Sequence, residues 1–111
     1  DSELMDWQQE AAAIVQDVRA HLKVIEVSHH LESTNRRIYL NATTLEEQNV
    51  CVCVSGMGFR IVGQEFDNVN PEIEEKSKTY ETPYALFTDI SPLYVKSFGE
   101  ALQKAVASLA G

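Results

Sequence analysis

Two cysteines, three histidines, a glutamate run and a glycine-rich turn are the residues of this chain best equipped for chemistry. Cys51 and Cys53 lie in "NVCVCVSG". On a strand, residues two apart point to the same face, so the two thiols would be stacked neighbours, a poor geometry for a disulfide. A metal would need partners that C-x-C alone does not supply. They read as buried thiols acting as small hydrophobes, which fits a reducing, intracellular setting. His29 and His30 are adjacent, so on a strand they face opposite ways and cannot share a metal. His21 falls near the end of a helix, where the dipole favours an imidazolium. All three read as surface or edge residues. Glu72, Glu74 and Glu75 read as a solvated loop run. Ser28, Ser55 and Ser91 lack any motif that activates a hydroxyl. "GMG" joins two strands and opens no helix, so it cradles no phosphate. The expectation is a protein without catalytic residues, metal or cofactor. Asn41-Ala42-Thr43 matches a glycosylation acceptor, but no secretory signal accompanies it.

Composition narrows the function further. A chain of 111 residues is read as one domain, residues 1–111. That size buries about two thirds of the surface its unfolded form exposes, enough for one core. The formal net charge is −8. It would repel a phosphate backbone and an anionic membrane surface, so neither nucleic acid nor membrane is expected as a partner. No run approaches the roughly 18 apolar residues that suggest a membrane span. The start, Asp1-Ser2-Glu3, lacks the layout of a signal peptide.

The elements that would position any site follow from hydrophobic period. Leu4, Trp7, Ala11, Ile14, Val15, Val18 and Leu22 recur at three- and four-residue steps, predicting a helix from about Glu3 to Leu22. The period then becomes two. "VIEVSHHL", "RRIYLNAT", "QNVCVCVS" and "GFRIVGQEF" read as four strands. Short polar or glycine-bearing links make them an antiparallel meander. "DNVNPEIEEKSKTY" reads as a polar, partly mobile loop. Thr82-Pro83 and Ser91-Pro92 each place a capping hydroxyl before a proline, predicting a short helix over "PYALFTDI" and a long last one. The fold class is α+β, with the helices packed on one face of the sheet.

The last helix is apolar over more than one narrow stripe. Tyr94, Phe98, Ala101 and Ala105 cluster on one side at 100° per residue, and Leu102, Val106 and Leu109 reach round from them. Tyr94 and Phe98 are expected in the core. Leu102, Val106 and Leu109 could equally be a ridge that docks in a partner's groove. Gly99 sits mid-helix, where glycine costs roughly 1 kcal/mol relative to alanine.

"GQEFDNV" followed by "YETPYALFTDISPLYVKSFGEAL" resembles the glycogen synthase kinase-3-interaction protein (GSKIP) family. The matching positions are Gly63, Phe66, Asp67, Val69, Glu81, Thr82, Tyr84, Leu86, Asp89, Ile90, Ser91, Pro92, Tyr94, Phe98, Gly99, Ala101 and Leu102. Thr88 departs from the pattern, where leucine is usual. "EAAAIVQDV" also looks like the family's first helix.

The resemblance implies a non-enzymatic cytoplasmic or nuclear adaptor. It would bind glycogen synthase kinase-3 through its last helix, compete with axin-type partners and modulate Wnt/β-catenin signalling. By position the kinase-binding residues are Phe98, Leu102 and Val106, with Leu109 completing the ridge. Val106 stands where leucine is common, and the missing methylene is worth about 0.8 kcal/mol of burial. Ala105 stands where the family has a basic residue. Some members also anchor the type II regulatory subunit of cAMP-dependent protein kinase through the first helix; here Ala11, Ile14, Val15 and Val18 would form that face. Arg19, however, stands where anchoring members have leucine. Desolvating an unpaired guanidinium is costly, which argues against anchoring. The same domain occurs in clustered-mitochondria (Clu) proteins. The alternative is therefore a Clu-type interaction domain linked to mitochondrial distribution or translation, without kinase binding.

Overall fold

The computed structural model describes residues 7–34 and 36–110. The chain runs α1 (Trp7–Val18), a 3-10 turn (Arg19–His21), β1 (Val24–Val27), β2 (Arg37–Thr43), β3 (Asn49–Ser55) and β4 (Gly58–Gly63). It continues through α2 (Pro71–Lys76), β5 (Thr79–Tyr80) and α3 (Pro83–Ile90) to α4 (Pro92–Ala110). The five strands pair in sequence order, every pair antiparallel. This is the expected α+β meander with a two-residue strand added at its edge.

Strand period builds the core. β2 and β3 pair Ile38 with Val54, Leu40 with Val52 and Ala42 with Val50, so apolar side chains face each other across the ladder on one face. Phe59 and Ile61 of β4 extend that face opposite Val54 and Val52. Helical period supplies the lid. Ala11, Ile14 and Val18 of α1 and Leu22 beyond it are buried against the sheet, as are Leu86 and Phe87 of α3 and Tyr94 of α4. Each aliphatic side chain so buried contributes about 1.5–3 kcal/mol. The first α-helix ends at Val18, four residues before the Leu22 end that the apolar period suggested; a 3-10 turn follows it and Leu22 is extended. Leu4 and the helix start near Glu3 lie outside the described residues, as does the side chain of Trp7.

The segment read as a loop holds α2 and β5. Asn70 caps α2 by accepting the Glu72 N–H at 3.0 Å, and Pro71 takes the first helical position. Glu72 and Glu74 sit in the first turn and Lys76 in the last, each at the end the helix dipole favours. Asn70-Pro71 is thus the same signal as Thr82-Pro83 and Ser91-Pro92. Gly58, Gly63 and Asp67 show where the described chain depends on local geometry. Gly58 has φ +126°, and a Cβ there would lie 2.4 Å from the Tyr80 carbonyl of β5. A Cβ on Gly63 would lie 1.9 Å from the carbonyl of Asn68, because the loop after β4 crosses directly over it. Asp67, at φ +56°, turns that loop.

Asp67 also ties the loop to the sheet. Its carboxylate accepts from the Ser28 hydroxyl at 2.5 Å and from Asn41 Nδ2 at 2.7 Å, while Asn41 Oδ1 accepts the Asp67 N–H at 2.9 Å. Asn41, 2% exposed, is a structural tie inaccessible to a glycosyl group. The Ser28 bond, then the Asn41 bond, hold the Asp67 carboxyl below its ordinary range. A depressed folded value means stability present above the unfolded carboxyl value and lost as pH falls through the folded one. Thermal melts from pH 6 to pH 3 are therefore expected to show a falling Tm. Asp67→Asn is expected to melt lower at pH 6 and to show a shallower slope below about pH 4. Parallel curves for parent and variant would contradict this role.

Candidate functional site: an unpartnered face of the last helix

α4 is clamped at one end and free at the other. At the clamped end the Ser91 hydroxyl accepts the Tyr94 N–H at 3.0 Å. Glu46, from the turn between β2 and β3, accepts from the Ser91 hydroxyl at 2.6 Å and from the Leu93 N–H at 2.9 Å. The Leu93 bond first, then Ser91, lower the Glu46 carboxyl from its usual value. A carboxylate at a helix N-terminus also meets the positive end of the dipole. Tyr94 then enters the core, 5.8 Å from the Phe87 ring and 5.5 Å from that of His21. His21 Nδ1 lies 2.7 Å from the Ser97 hydroxyl and its ring packs edge-on to Phe98, so this histidine fastens α4 to the turn after α1. His29 and His30 are exposed.

Phe98 marks the point where α4 leaves the body of the domain. It touches His21, Tyr84 and Tyr94 on one side yet keeps 43% of its surface open, where full core burial was expected. From Glu100 to Leu109 every residue is exposed. Leu102 and Val106 are each 57% exposed and Leu109 is 89% exposed. Ala101 and Ala105, expected beside the core, are exposed with them, because the sheet and α3 end before this part of the helix begins. At 1.5 Å per residue the free half projects about 15 Å.

The free half carries an ordered apolar ridge. At 100° per residue Phe98, Leu109, Leu102 and Val106 fall within about 80° of arc. Val95, 47% exposed, falls inside the same arc and belongs to the ridge. Sequence reading passed over it, although its angular position between Leu102 and Val106 was available. Gly99 borders this arc, and a Cβ there would meet nothing within 4 Å. The packing of this chain therefore does not require a glycine at that position. Such a ridge can fill a hydrophobic groove by side chains at three- and four-residue steps.

The other faces are committed differently. Ala11, Ile14 and Val18 are buried in the core and Val15 is half-buried, so a regulatory subunit docking on this face would have to displace the sheet. Arg19 is exposed at the end of α1. Cys51 is buried and desolvation pushes its thiol up to about 11, while Cys53 is half-buried on the same face of β3; both are free thiols. Among the described residues, no three His, Cys, Asp or Glu side chains gather where they could hold a metal ion. Among the described residues, no helix is long and apolar enough to cross a membrane.

Comparison with known proteins places this geometry in context. The profile of the GSKIP domain matches residues 7–109. A GSK3-beta interaction protein of Danio rerio is 37% identical over 100 residues, covering 90% of this chain and 74% of the relative. A GSK3B-interacting protein of Bos taurus is 32% identical over 108 residues, covering 97% and 76%. A protein GSKIP homolog of Drosophila melanogaster is 39% identical over 84 residues, covering 76% and 68%. The signature positions divide by role in the fold. Gly63, Asp67, Thr82, Leu86, Ser91 and Tyr94 are joints or core, and Asp89 accepts the Tyr80 hydroxyl at 2.5 Å. Val69, Tyr84, Phe98 and Leu102 are the large hydrophobic ones left exposed.

Proposed function

This chain belongs to the GSKIP domain family, and on that premise we propose that it is an adaptor that binds glycogen synthase kinase-3. The contact is the ridge of Phe98, Leu102, Val106 and Leu109 on α4, laid into an apolar groove of the kinase. The observation that carries the proposal is the exposure of that ridge, whose part beyond Phe98 lies on a half-helix exposed at every residue from Glu100 to Leu109. The names borne by the relatives support the choice of kinase. Burying four such side chains offers several kcal/mol of gross driving force, against which association and helix ordering are set. Because the site is a helix in a groove, the adaptor would compete with axin-type helices and restrain kinase action on β-catenin-type substrates. This role belongs in a reducing cytoplasmic or nuclear compartment, consistent with two unpaired thiols.

The test is competition. Purified chain is expected to displace a labelled axin-type helical peptide from the kinase in a saturable manner. Saturable binding of the chain without displacement would overturn the shared groove. Absence of any binding would overturn the adaptor reading itself and favour the Clu-type interaction domain.

A further inference from the structure

The face of the sheet opposite α1 and α3 carries a second feature, independent of α4. Three of the four arginines of this acidic chain, Arg36, Arg37 and Arg60, line one groove of about 420 Å³. Sheet register gathers them. Tyr39, Cys53 and Arg60 stand in one row across β2, β3 and β4, and Arg37, Ser55 and Gly58 form the next. The small side chains of that second row leave the space between the arginines open. Glu74 of α2 stands at the far wall.

The charges in this groove are not internally satisfied. Arg60 gives one Nη2 N–H to the Glu74 carbonyl at 2.5 Å, but its Nε is buried and has no hydrogen-bond partner among the described residues. The Arg37 guanidinium lies 5.7 Å from the centre of the Tyr39 ring. Among the described residues none of the three guanidiniums is within ion-pairing distance of a carboxylate; the ion pairs there are Lys23–Glu47 and His30–Asp67. A buried guanidinium donor without an acceptor is costly, and a chain with seventeen acidic residues had many ways to supply one. Three guanidiniums against one glutamate leave a local charge of about +2. A phosphate monoester carries about −1.5 to −2 near neutral pH and offers three acceptor oxygens. Planar guanidiniums match those oxygens two at a time, and the match is charge-assisted.

We propose that the groove between Arg36, Arg37 and Arg60 binds a phosphate monoester, with the Arg37 and Arg60 guanidiniums as its principal donors. The shared chemistry could arrive as a free small phosphomonoester or as a phosphorylated side chain of a protein. In the bound state Tyr39 would form the floor and Met57, 76% exposed, the outer rim.

NMR of the arginine Nε–Hε groups in the intact chain tests this. O-phosphoserine is expected to shift the Arg60 and Arg37 signals saturably, with acetate at least ten-fold weaker. Arg37→Ala, an exposed position, is expected to weaken phosphoserine at least five-fold without changing the melt. Arg60→Lys, which keeps a charge but loses the Nε–H, is expected to weaken it similarly. A phosphoserine peptide binding ten-fold tighter than the free amino acid would identify a protein source, and equal binding a small molecule. Shifts that stay linear with concentration, that survive Arg37→Ala, or that the unphosphorylated peptide reproduces would overturn the proposal.

Discussion

Leu102→Asp is expected to weaken binding to glycogen synthase kinase-3 by at least about 100-fold while leaving the fold of the free chain unchanged. The expectation follows from position. Leu102 lies near the centre of the ridge, one turn beyond Phe98 and one before Val106. Central apolar anchors at interfaces commonly cost 2 kcal/mol or more when truncated, and a carboxylate adds the expense of desolvating a charge in the groove. In the free chain Leu102 is 57% exposed and is not a member of the core, so the loss there is expected to be confined to helix propensity, under about 1 kcal/mol. Calorimetric titration against the kinase measures the first quantity and a thermal melt the second. Equal affinity of parent and variant would remove Leu102 from the contact. A large drop in Tm would show that Leu102 packs within the domain after all.

Phe87→Ala has the opposite profile. Phe87 is 2% exposed on α3, and its ring meets Tyr94, the residue that anchors α4. Removing it is expected to cost about 3–5 kcal/mol, because the rigid sheet beneath cannot collapse into the cavity. Small domains hold only about 5–15 kcal/mol in total, so Tm is expected to fall by more than about 10 °C. Kinase affinity measured well below that lowered Tm is expected to change far less, since the ridge beyond Phe98 does not touch Phe87. A melt within about 2 °C of the parent would contradict the role given to this side chain. The pair of variants thus separates anchoring of α4 from what its free half does.

Much of this division was legible in the residues. The period of three and four in α1, the period of two in the strands, and the hydroxyl-proline pairs before α3 and α4 each state a local rule that the tertiary structure obeys. α2 was hidden because its six residues hold only one large apolar side chain, Ile73, so no period could form; its asparagine cap was the readable signal. β5 was hidden because two residues, Thr79 and Tyr80, pair only where Gly58 lets the chain come close. In α4 the amphipathic pattern announced an apolar face but not how far the sheet extends beneath it. That extent depends on strand length and crossing geometry, which place the edge of the body at Phe98. The arginine groove lies further still from sequence reading. Arg37 and Arg60 are 23 positions apart, and only the strand register makes them neighbours across β3.

The central claim, that residues 100–109 are uncovered in the free chain and covered by the kinase, is tested most directly by hydrogen exchange. A half-helix with no tertiary support opens readily, so its amides should exchange quickly in the free chain, while those of β2 and β3 exchange slowly. Saturating kinase is predicted to slow exchange across residues 98–109 and to leave β2 and β3 unchanged. Slow exchange there before the kinase is added, or protection that appears only elsewhere in the domain, would contradict it.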